Sequence, residues 1–198
     1  MSEAPTHLRD LDWYGEQLGA VSYTGVTFTD VDFTECTTAG ATFEGCTFHN
    51  CRFNSSKHVA SAFVACDFRR TNFFDATFDG CKLTGSVFAE CTMRPMAVRG
   101  GQWRGVTLRG AKLTGLDLAG LDLRDSDLSM ADLTGSSLKG AHLAHAVVRE
   151  ANLTDADLRG ADLDAVDLAA ATLRRTKLDL VGAVLLAELH GADVDTSM

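Results

Sequence analysis

The chain has 198 residues, of which 45% are hydrophobic and 23% charged, and its 18 basic and 27 acidic residues give a formal net charge of −9. This content suffices for one folded domain and argues against intrinsic disorder. The sequence contains no stretch of about eighteen apolar residues, so no membrane span is predicted. The excess of acidic over basic residues disfavours direct binding to nucleic acid. The first residues lack the basic and apolar regions of a secretory signal, so we expect a cytoplasmic protein.

Apolar residues recur every five positions from Leu8 to Leu178 without a break in frame; we call the members of this series central residues. Of the 35 central residues 33 are apolar, the exceptions being Thr38 and His58. A period of five matches neither the 3.6-residue α-helix nor the two-residue strand. The chain must therefore turn corners regularly to keep one residue in five facing inward, as in a solenoid.

The residues around each central residue follow the same period. Two positions before it, nearly every repeat between Cys36 and Thr176 has a small residue; we call this the small inward position. Two positions after it lie 14 of the 18 glycines, where a corner needs a positive φ. All six cysteines occupy the small inward position: Cys36, Cys46, Cys51, Cys66, Cys81 and Cys91. The repeat therefore accounts for them as packing residues without a disulfide or a metal.

The core changes character along the chain. Phe dominates the central positions between Phe28 and Phe88, and Leu dominates from Leu108 onward. The junction contains Pro95. Because Pro cannot donate to a β ladder, we expect a bulge or kink at this junction rather than a domain boundary.

Short runs in the second half carry a family pattern. Residues 151–153 read ANL, and residues 156–158 and 161–163 both read ADL. These runs resemble the A(D/N)LXX consensus of the pentapeptide repeat proteins, and the resemblance covers residues 8–178. It implies an all-β fold, a right-handed quadrilateral β-helix with four pentapeptides per coil and central residues stacked in columns twenty residues apart. With coils about 4.8 Å apart, the rod would be roughly 40 Å long.

The repeat ends near Leu180, which divides the chain into an N-terminal tail (1–7), a β-helix (8–180) and a C-terminal helix and tail (181–198). A short amphipathic helix, stopped by Gly191, is predicted from residues at helical spacing, namely Val181, Val184, Leu185 and Leu189. An open solenoid end exposes unpaired backbone groups. We therefore expect the helix to cap the rod, to join two copies in a homodimer, or to do both.

No catalytic or cofactor-binding pattern accompanies the repeat. His142 and His145 form an HxxH pair, but no third metal ligand is visible. Nothing resembles a phosphate loop, a nucleophile elbow or an oriented Ser/His/Asp set. The sequence predicts no enzyme, no cofactor and no metal.

The position before each central residue points outward and holds a series of carboxylates in the second half: Asp117, Asp122, Asp127, Asp132, Asp157, Asp162 and Asp167. One interpretation is solubility alone. The other is a partner that normally binds a polyanion. Duplex DNA carries one charge per ~1.7 Å, whereas −9 over a ~40 Å rod is one per about 4 to 5 Å. The rod as a whole therefore has too low a charge density to imitate DNA. A contact with such a partner would have to involve one face on which acidic residues are concentrated.

A narrower resemblance rests on the Phe-rich first half, the stretch GSVFAECTMRPM at residues 85–96, the Leu-rich second half and the apolar C-terminal helix. These features are similar to those of the fluoroquinolone-resistance members of the family from mycobacteria and other actinobacteria. The resemblance implies a non-catalytic, DNA-mimicking homodimer that binds DNA gyrase, inhibiting it or relieving quinolone poisoning. The alternative is a repeat scaffold whose partner is not a topoisomerase.

Overall fold

The computed structural model describes residues 6–195; residues 1–5 of the predicted N-terminal tail and 196–198 of the C-terminal tail lie outside the described residues. Within this range the chain forms short β-strands, one 3₁₀ turn (Leu168–Ala170) and one α-helix, α1 (Leu180–Leu189). The strands are β1 (His7–Arg9), β2 (Gln17–Gly19), β3 (Ser22–Thr24), β4 (Thr27–Thr29), β5 (Thr37–Ala39), β6 (Thr42–Glu44), β7 (Thr47–His49), β8 (Lys57–Val59), β9 (Ala62–Val64), β10 (Asp67–Arg69), β11 (Ala76–Asp79), β12 (Val87–Ala89) and β13 (Met96–Arg99).

The strands stack in parallel at intervals of twenty residues. Two five-stranded sheets have the orders β1-β4-β7-β10-β12 and β13-β11-β8-β5-β2, and a three-stranded sheet has the order β3-β6-β9. The fourth face and the second half of the chain continue as single-residue bridges with the same step, for example Asp12 with Asp32 and Asp157 with Lys177. The predicted all-β fold, a quadrilateral β-helix followed by a short helix, is confirmed.

Central residues fill the interior in columns. The rings of Phe28 and Phe48 stack with centroids 4.8 Å apart and planes within 4° of parallel, and those of Phe43 and Phe63 are also 4.8 Å apart. This distance is the spacing of neighbouring β-strands, so each ring lies directly over the one in the coil below. Burying such a side chain contributes roughly 1.5 to 3 kcal/mol, and the whole rod therefore depends on these columns.

The small inward position has a hydrogen-bonding role as well as a packing role. The Ser86 hydroxyl donates to the carbonyl of Phe63, 2.7 Å away, and the Cys66 thiol lies 3.3 Å from the carbonyl of Phe43. A short polar side chain at this position thus satisfies a carbonyl of the previous coil. All six cysteines are free thiols. Burial raises the pKa of Cys36 to about 12, which keeps that thiol protonated.

The corners have left-handed backbone two residues after the central residue. At these left-handed corners φ ranges from +46° at Ala60 to +71° at Gly160. The glycines at this position accordingly avoid the cost that other residues meet there. Gly101 is a separate case, because it occupies a small inward position with φ +108°. A Cβ there would lie 2.3 Å from the carbonyl oxygen of Cys81, so only glycine fits.

Pro95 occupies a corner that cannot become left-handed, because its ring holds φ near −65°. Next to it the ladder opens: Thr92 and Lys112 form no bridge, although Thr92 bridges Asn72 and Lys112 bridges Asp132. Ala97 and Asp117, on the adjacent face, form no bridge either, although Ala97 pairs with Thr77 and Asp117 with Ser137. The other two faces remain joined at this level through the bridges Gln102 with Asp122 and Val87 with Thr107. The irregularity expected at Pro95 is therefore an opening between two coils on two adjacent faces.

Helix α1 is attached to the last coils by its N-cap. The Asp179 carboxylate accepts hydrogen bonds from the backbone N–H groups of Gly182 at 3.0 Å and of Gly160 at 2.6 Å. Gly182 is buried, and a Cβ there would meet the side chains of Leu163 and Leu178. The helix therefore covers the end of the core at close range. No helix of residues 6–195 is long and apolar enough to cross a bilayer.

The expectation of an amphipathic helix is wrong. The residues of α1 are LVGAVLLAEL, so Glu188 is its single charged residue and apolar side chains surround its axis. Gly191 follows with φ +85° and stops the helix, as predicted. A helix that is apolar all round needs cover on more than one side.

Replacing Leu133 by Ala tests the column packing. Leu133 is fully buried, and the cavity left by the substitution should lower the free energy of unfolding by roughly 2 to 5 kcal/mol. The matched control is Val147→Ala on the outer surface, where the side chain is 49% exposed. Urea denaturation measures both variants, and an equal effect of the two changes would contradict the inward assignment of Leu133.

Candidate partner-binding surface

The predicted carboxylates have a local structural role. Six of the seven accept a hydrogen bond from the backbone N–H two residues later, for example Asp127 from Ser129 at 2.9 Å and Asp117 from Ala119 at 3.1 Å. Such Asx turns hold the backbone at the start of each corner. Asn152 does the same with Thr154 at 3.1 Å. The Asp or Asn preference before the central residue therefore serves the turn first, which sequence reasoning missed.

The structure distributes these carboxylates over all four faces. Because residues twenty apart stack, the sets by face are Asp117 with Asp157, Asp122 with Asp162, Asp127 with Asp167, and Asp132 by itself. No single face brings the seven together. Any common electrostatic effect must therefore come from a stretch of the rod and surround its axis.

Some of the carboxylates are paired locally. Arg124 donates two hydrogen bonds to Asp122 at 2.8 Å each, and Arg159 donates to Asp157 at 2.9 and 2.7 Å. These bonds hold the pKa of both carboxyl groups below the usual range. The Thr134 hydroxyl has the same effect on the pKa of Asp132. These three groups remain ionised.

Five carboxylates of the predicted set form no ion pair with any residue in the described range 6–195: Asp117, Asp127, Asp132, Asp162 and Asp167. Together they lie on all four faces of the second half of the rod and contribute to its external field. Asp117, Asp127 and Asp162 lie on three different faces, and each holds an Asx turn.

Charge is segregated along the rod. Residues 6–50 contain seven acidic residues and one basic residue, for a net charge of −6. Residues 51–115 contain four acidic and ten basic residues, for +6; we call them the basic band. Residues 116–195 contain fifteen acidic and seven basic residues, for −8; we call them the acidic half. The overall charge of −9 hides this pattern, which appears once the coils are placed in order.

The residues predicted for dimerisation divide between two environments. Leu185 is half-buried and packs against the core at the end of the rod, and Val184 is half-buried as well. Val181 is 75% exposed, Leu189 is 40% exposed, and Leu180, which was not in the predicted set, is 71% exposed. Part of the helix thus caps the rod, while another part presents an apolar surface to solvent.

The polar central residues form a closed buried cluster. His58 lies 2.8 Å from the Thr38 hydroxyl through Nδ1 and 3.0 Å from the Ser56 hydroxyl through Nε2, and the Thr38 and Ser61 hydroxyls are 2.9 Å apart. Burial lowers the pKa of His58 to about 3, so the ring is neutral. The cluster has no access from solvent and serves the packing. No group of three or more His, Cys, Asp or Glu in the described range could hold a metal ion.

Comparison with known proteins identifies the repeat. A family model described as pentapeptide repeat region matches residues 26–129, and one described as pentapeptide repeats (8 copies) matches residues 141–179. Two trypsin-treated forms of QnrB1, a plasmid-mediated fluoroquinolone resistance protein, have similar structures. One has 21% identity and a TM-score of 0.66 and covers 96% of this chain and 98% of its own. The other has 22% identity and a TM-score of 0.64, and it covers 97% of this chain and 100% of its own.

HetL, a pentapeptide repeat protein involved in heterocyst differentiation regulation in the cyanobacterium Nostoc, has 17% identity and a TM-score of 0.45, with 89% of this chain and 90% of HetL covered. No curated protein gives a significant sequence match. At these identities, the likeness to QnrB1 shows a shared fold.

The buried imidazole predicts a pH dependence of stability. The folded pKa of His58 is about 3 against an ordinary value of 6.5, so the unfolded chain binds more protons between these values. The free energy of unfolding should therefore fall as pH drops below 6.5, by at most about 1.4 kcal/mol per pH unit. Urea denaturation from pH 7.5 to 5.0 measures the slope. A His58→Phe variant, whose new ring would pack against Phe78, should lose this slope. Equal slopes in both proteins would refute a buried neutral imidazole.

Proposed function

This chain belongs to the pentapeptide repeat family, and from that premise we propose that it is a non-catalytic DNA mimic that binds DNA gyrase, a type II topoisomerase of the cytoplasm. Binding would modulate or inhibit gyrase and protect it from fluoroquinolones. QnrB1, whose fold is similar along nearly the whole of both chains, is a fluoroquinolone resistance protein. The narrower resemblance to the actinobacterial resistance members supports the same partner.

The observation that carries the proposal is the acidic half. Its repeat part spans about three coils, or ~15 Å, and the helix adds about 10 Å. A net charge of −8 over this ~25 Å corresponds to one charge per ~3 Å, against one per ~1.7 Å in duplex DNA. The carboxylates surround the axis as phosphates surround a duplex. A DNA-handling surface rich in Lys and Arg would be attracted to this part of the rod.

If the exposed side of α1 joins two copies of the protein, the two acidic halves form one longer acidic surface. Leu180, Val181 and Leu189 supply an apolar patch at the acidic end of the rod. A second copy docked there would cover the helix on its open side and place two acidic halves end to end. The combined stretch would be about 50 Å long with a net charge of −16, which is long enough to occupy a groove built for DNA.

The proposal assigns no catalytic residue. His58, whose pKa is strongly lowered by burial, is enclosed in the core, and five of the six thiols are buried as well. Six of the seven predicted carboxylates hold turns, and two of these six also pair with Arg. These arrangements suit a binding surface and offer no nucleophile or general base to a substrate.

A second candidate is a scaffold whose partner is not a topoisomerase. The basic band favours it, because a net charge of +6 in the middle of the rod is the reverse of what a DNA mimic needs. In that case the Asx turns alone would explain the carboxylates of the acidic half.

A gyrase supercoiling assay, with and without a fluoroquinolone, distinguishes the two. We expect the protein to inhibit supercoiling or relieve drug poisoning, and the triple variant Asp117→Asn, Asp127→Asn and Asp162→Asn to weaken the effect about tenfold or more. Asn preserves the turn, as Asn152 shows, so the variant removes charge while keeping the fold. Three lost charge contacts of about 0.5 kcal/mol each would account for this change.

The matched control makes the same change of charge at the other end of the rod, in Asp10→Asn, Asp12→Asn and Asp32→Asn. This variant should leave gyrase inhibition nearly unchanged. Equal losses in the two triple variants would show that the acidic half is not the contact. Absence of any effect of the wild-type protein on gyrase from its own organism would favour the scaffold.

The double variant Leu180→Asp and Val181→Asp tests the dimer. Both residues are in the first turn of α1, where Asp suits the helix dipole, so the helix itself should persist. The wild-type protein should show twice the chain mass of 21.2 kDa by light scattering after gel filtration, and the variant the mass of one chain. The control, Ala119→Asp with Val147→Asp, should stay dimeric. If the wild-type protein has the mass of one chain, α1 acts as a cap and does not form a dimer interface.

A further inference from the structure

The ladder is open over two adjacent faces beside Pro95, where six expected backbone hydrogen bonds are absent among the described residues. One coil later the same bonds are present, for example from Asp132 N to Ala111 O at 2.9 Å and from Leu113 N to Asp132 O at 2.8 Å. The absent pairs are Glu90 N with Arg109 O, Lys112 N with Cys91 O, Met93 N with Lys112 O, Asp117 N with Met96 O, Val98 N with Asp117 O, and Gly100 N with Ala119 O. Two β-strand edges therefore face each other with free donors and acceptors.

The opening forms a cleft of about 770 Å³ between these edges. Its floor contains Cys91, Met96 and Ala111, small inward positions that are half-buried here. An extended residue in a sheet occupies roughly 160 Å³, from a rise of about 3.3 Å, a strand spacing of about 4.8 Å and a layer of about 10 Å. The cleft thus has the volume of about five extended residues.

The charges at the cleft are predominantly positive. It lies at the C-terminal boundary of the basic band, and its lining contains Arg94, Arg109 and Lys112. None of these three makes an ion pair with any residue between 6 and 195; Arg109 contacts the sulfur of Met130 at 3.3 Å. The lining also contains the carboxylates of Glu90 and Asp117. The basic groups outnumber the acidic ones, and their charges are available to a bound molecule.

We propose that this cleft is a docking site for an extended acidic segment of a partner protein. The segment adds as a β-strand, its backbone bonding to the open edges of both coils. Because alternate side chains of a strand point to opposite sides, acidic residues face Arg94 and Lys112 while apolar residues cover Met96 and Ala111. Backbone pairing explains why the occupant is a peptide, since a nucleic acid offers the edges no such ladder. The cleft lies at the boundary between the basic band and the acidic half and shares Asp117 with the acidic half, but the proposal does not depend on gyrase binding.

The probe is an acetylated, amidated hexapeptide of alternating valine and glutamate, titrated into ¹⁵N-labelled full-length protein. In the free protein we expect rapid hydrogen exchange at the amides of Met93, Lys112 and Asp117. At saturating peptide their exchange should slow about tenfold or more, because each amide gains an acceptor. A hexapeptide of alternating valine and lysine should give no protection.

Charge reversal identifies the contact. The double variant Arg94→Glu and Lys112→Glu should weaken peptide binding about tenfold or more, which corresponds to about 1.4 kcal/mol. The control, Arg70→Glu with Lys82→Glu, makes the same change inside the basic band but on the closed faces, and should weaken binding less than threefold.

Four results would overturn the proposal. They are slow exchange at these amides in the free protein, no added protection at saturating peptide, equal weakening by the two double variants, and the same protection from the valine–lysine hexapeptide or from a short DNA duplex.

Discussion

The rod depends on backbone hydrogen bonds between coils that are twenty residues apart. Each face of a coil pairs N–H and C=O groups with the coils above and below it, and this pairing depends on regular corners, most of which have left-handed backbone at one position in five. Because the requirement repeats, the side chains around it repeat as well: a large central residue, a small inward residue, and Asp or Asn at the turn. Core packing, turn chemistry and surface charge are thus all determined by one ladder.

That dependence explains why a single residue can open the rod. Pro95 stands where other repeats turn left-handed, and it also lacks the N–H that the corner would donate. The consequence extends over two faces because neighbouring bonds in a ladder share the same strand edges. The other two faces stay paired, and Gly101 lets the chain pass close to the carbonyl of Cys81. The result is a local cleft in an otherwise continuous solenoid.

The same repeat gives the surface two opposite characters. Carboxylates before the central residues hold the turns, yet Asp117, Asp127 and Asp162 form no ion pair among the described residues and contribute to the field of the second half. Basic residues accumulate instead around the cleft. A rod with an acidic end and a basic middle can present different surfaces to different partners, and the apolar side of α1 at the acidic end supplies a third.

The sequence by itself determined the register, the inward columns, the role of the cysteines and the position of the break, because each follows from a period of five and from the chemistry of Phe28, Cys66 or Pro95. It also located the helix and its stop at Gly191. Which carboxylates are neutralised by Arg124 and Arg159, and which side of α1 stays exposed, were decided by the tertiary structure. The physical reason is that a five-residue pattern does not specify the conformation of a surface arginine, and the exposure of α1 depends on how the helix packs across the end of the rod.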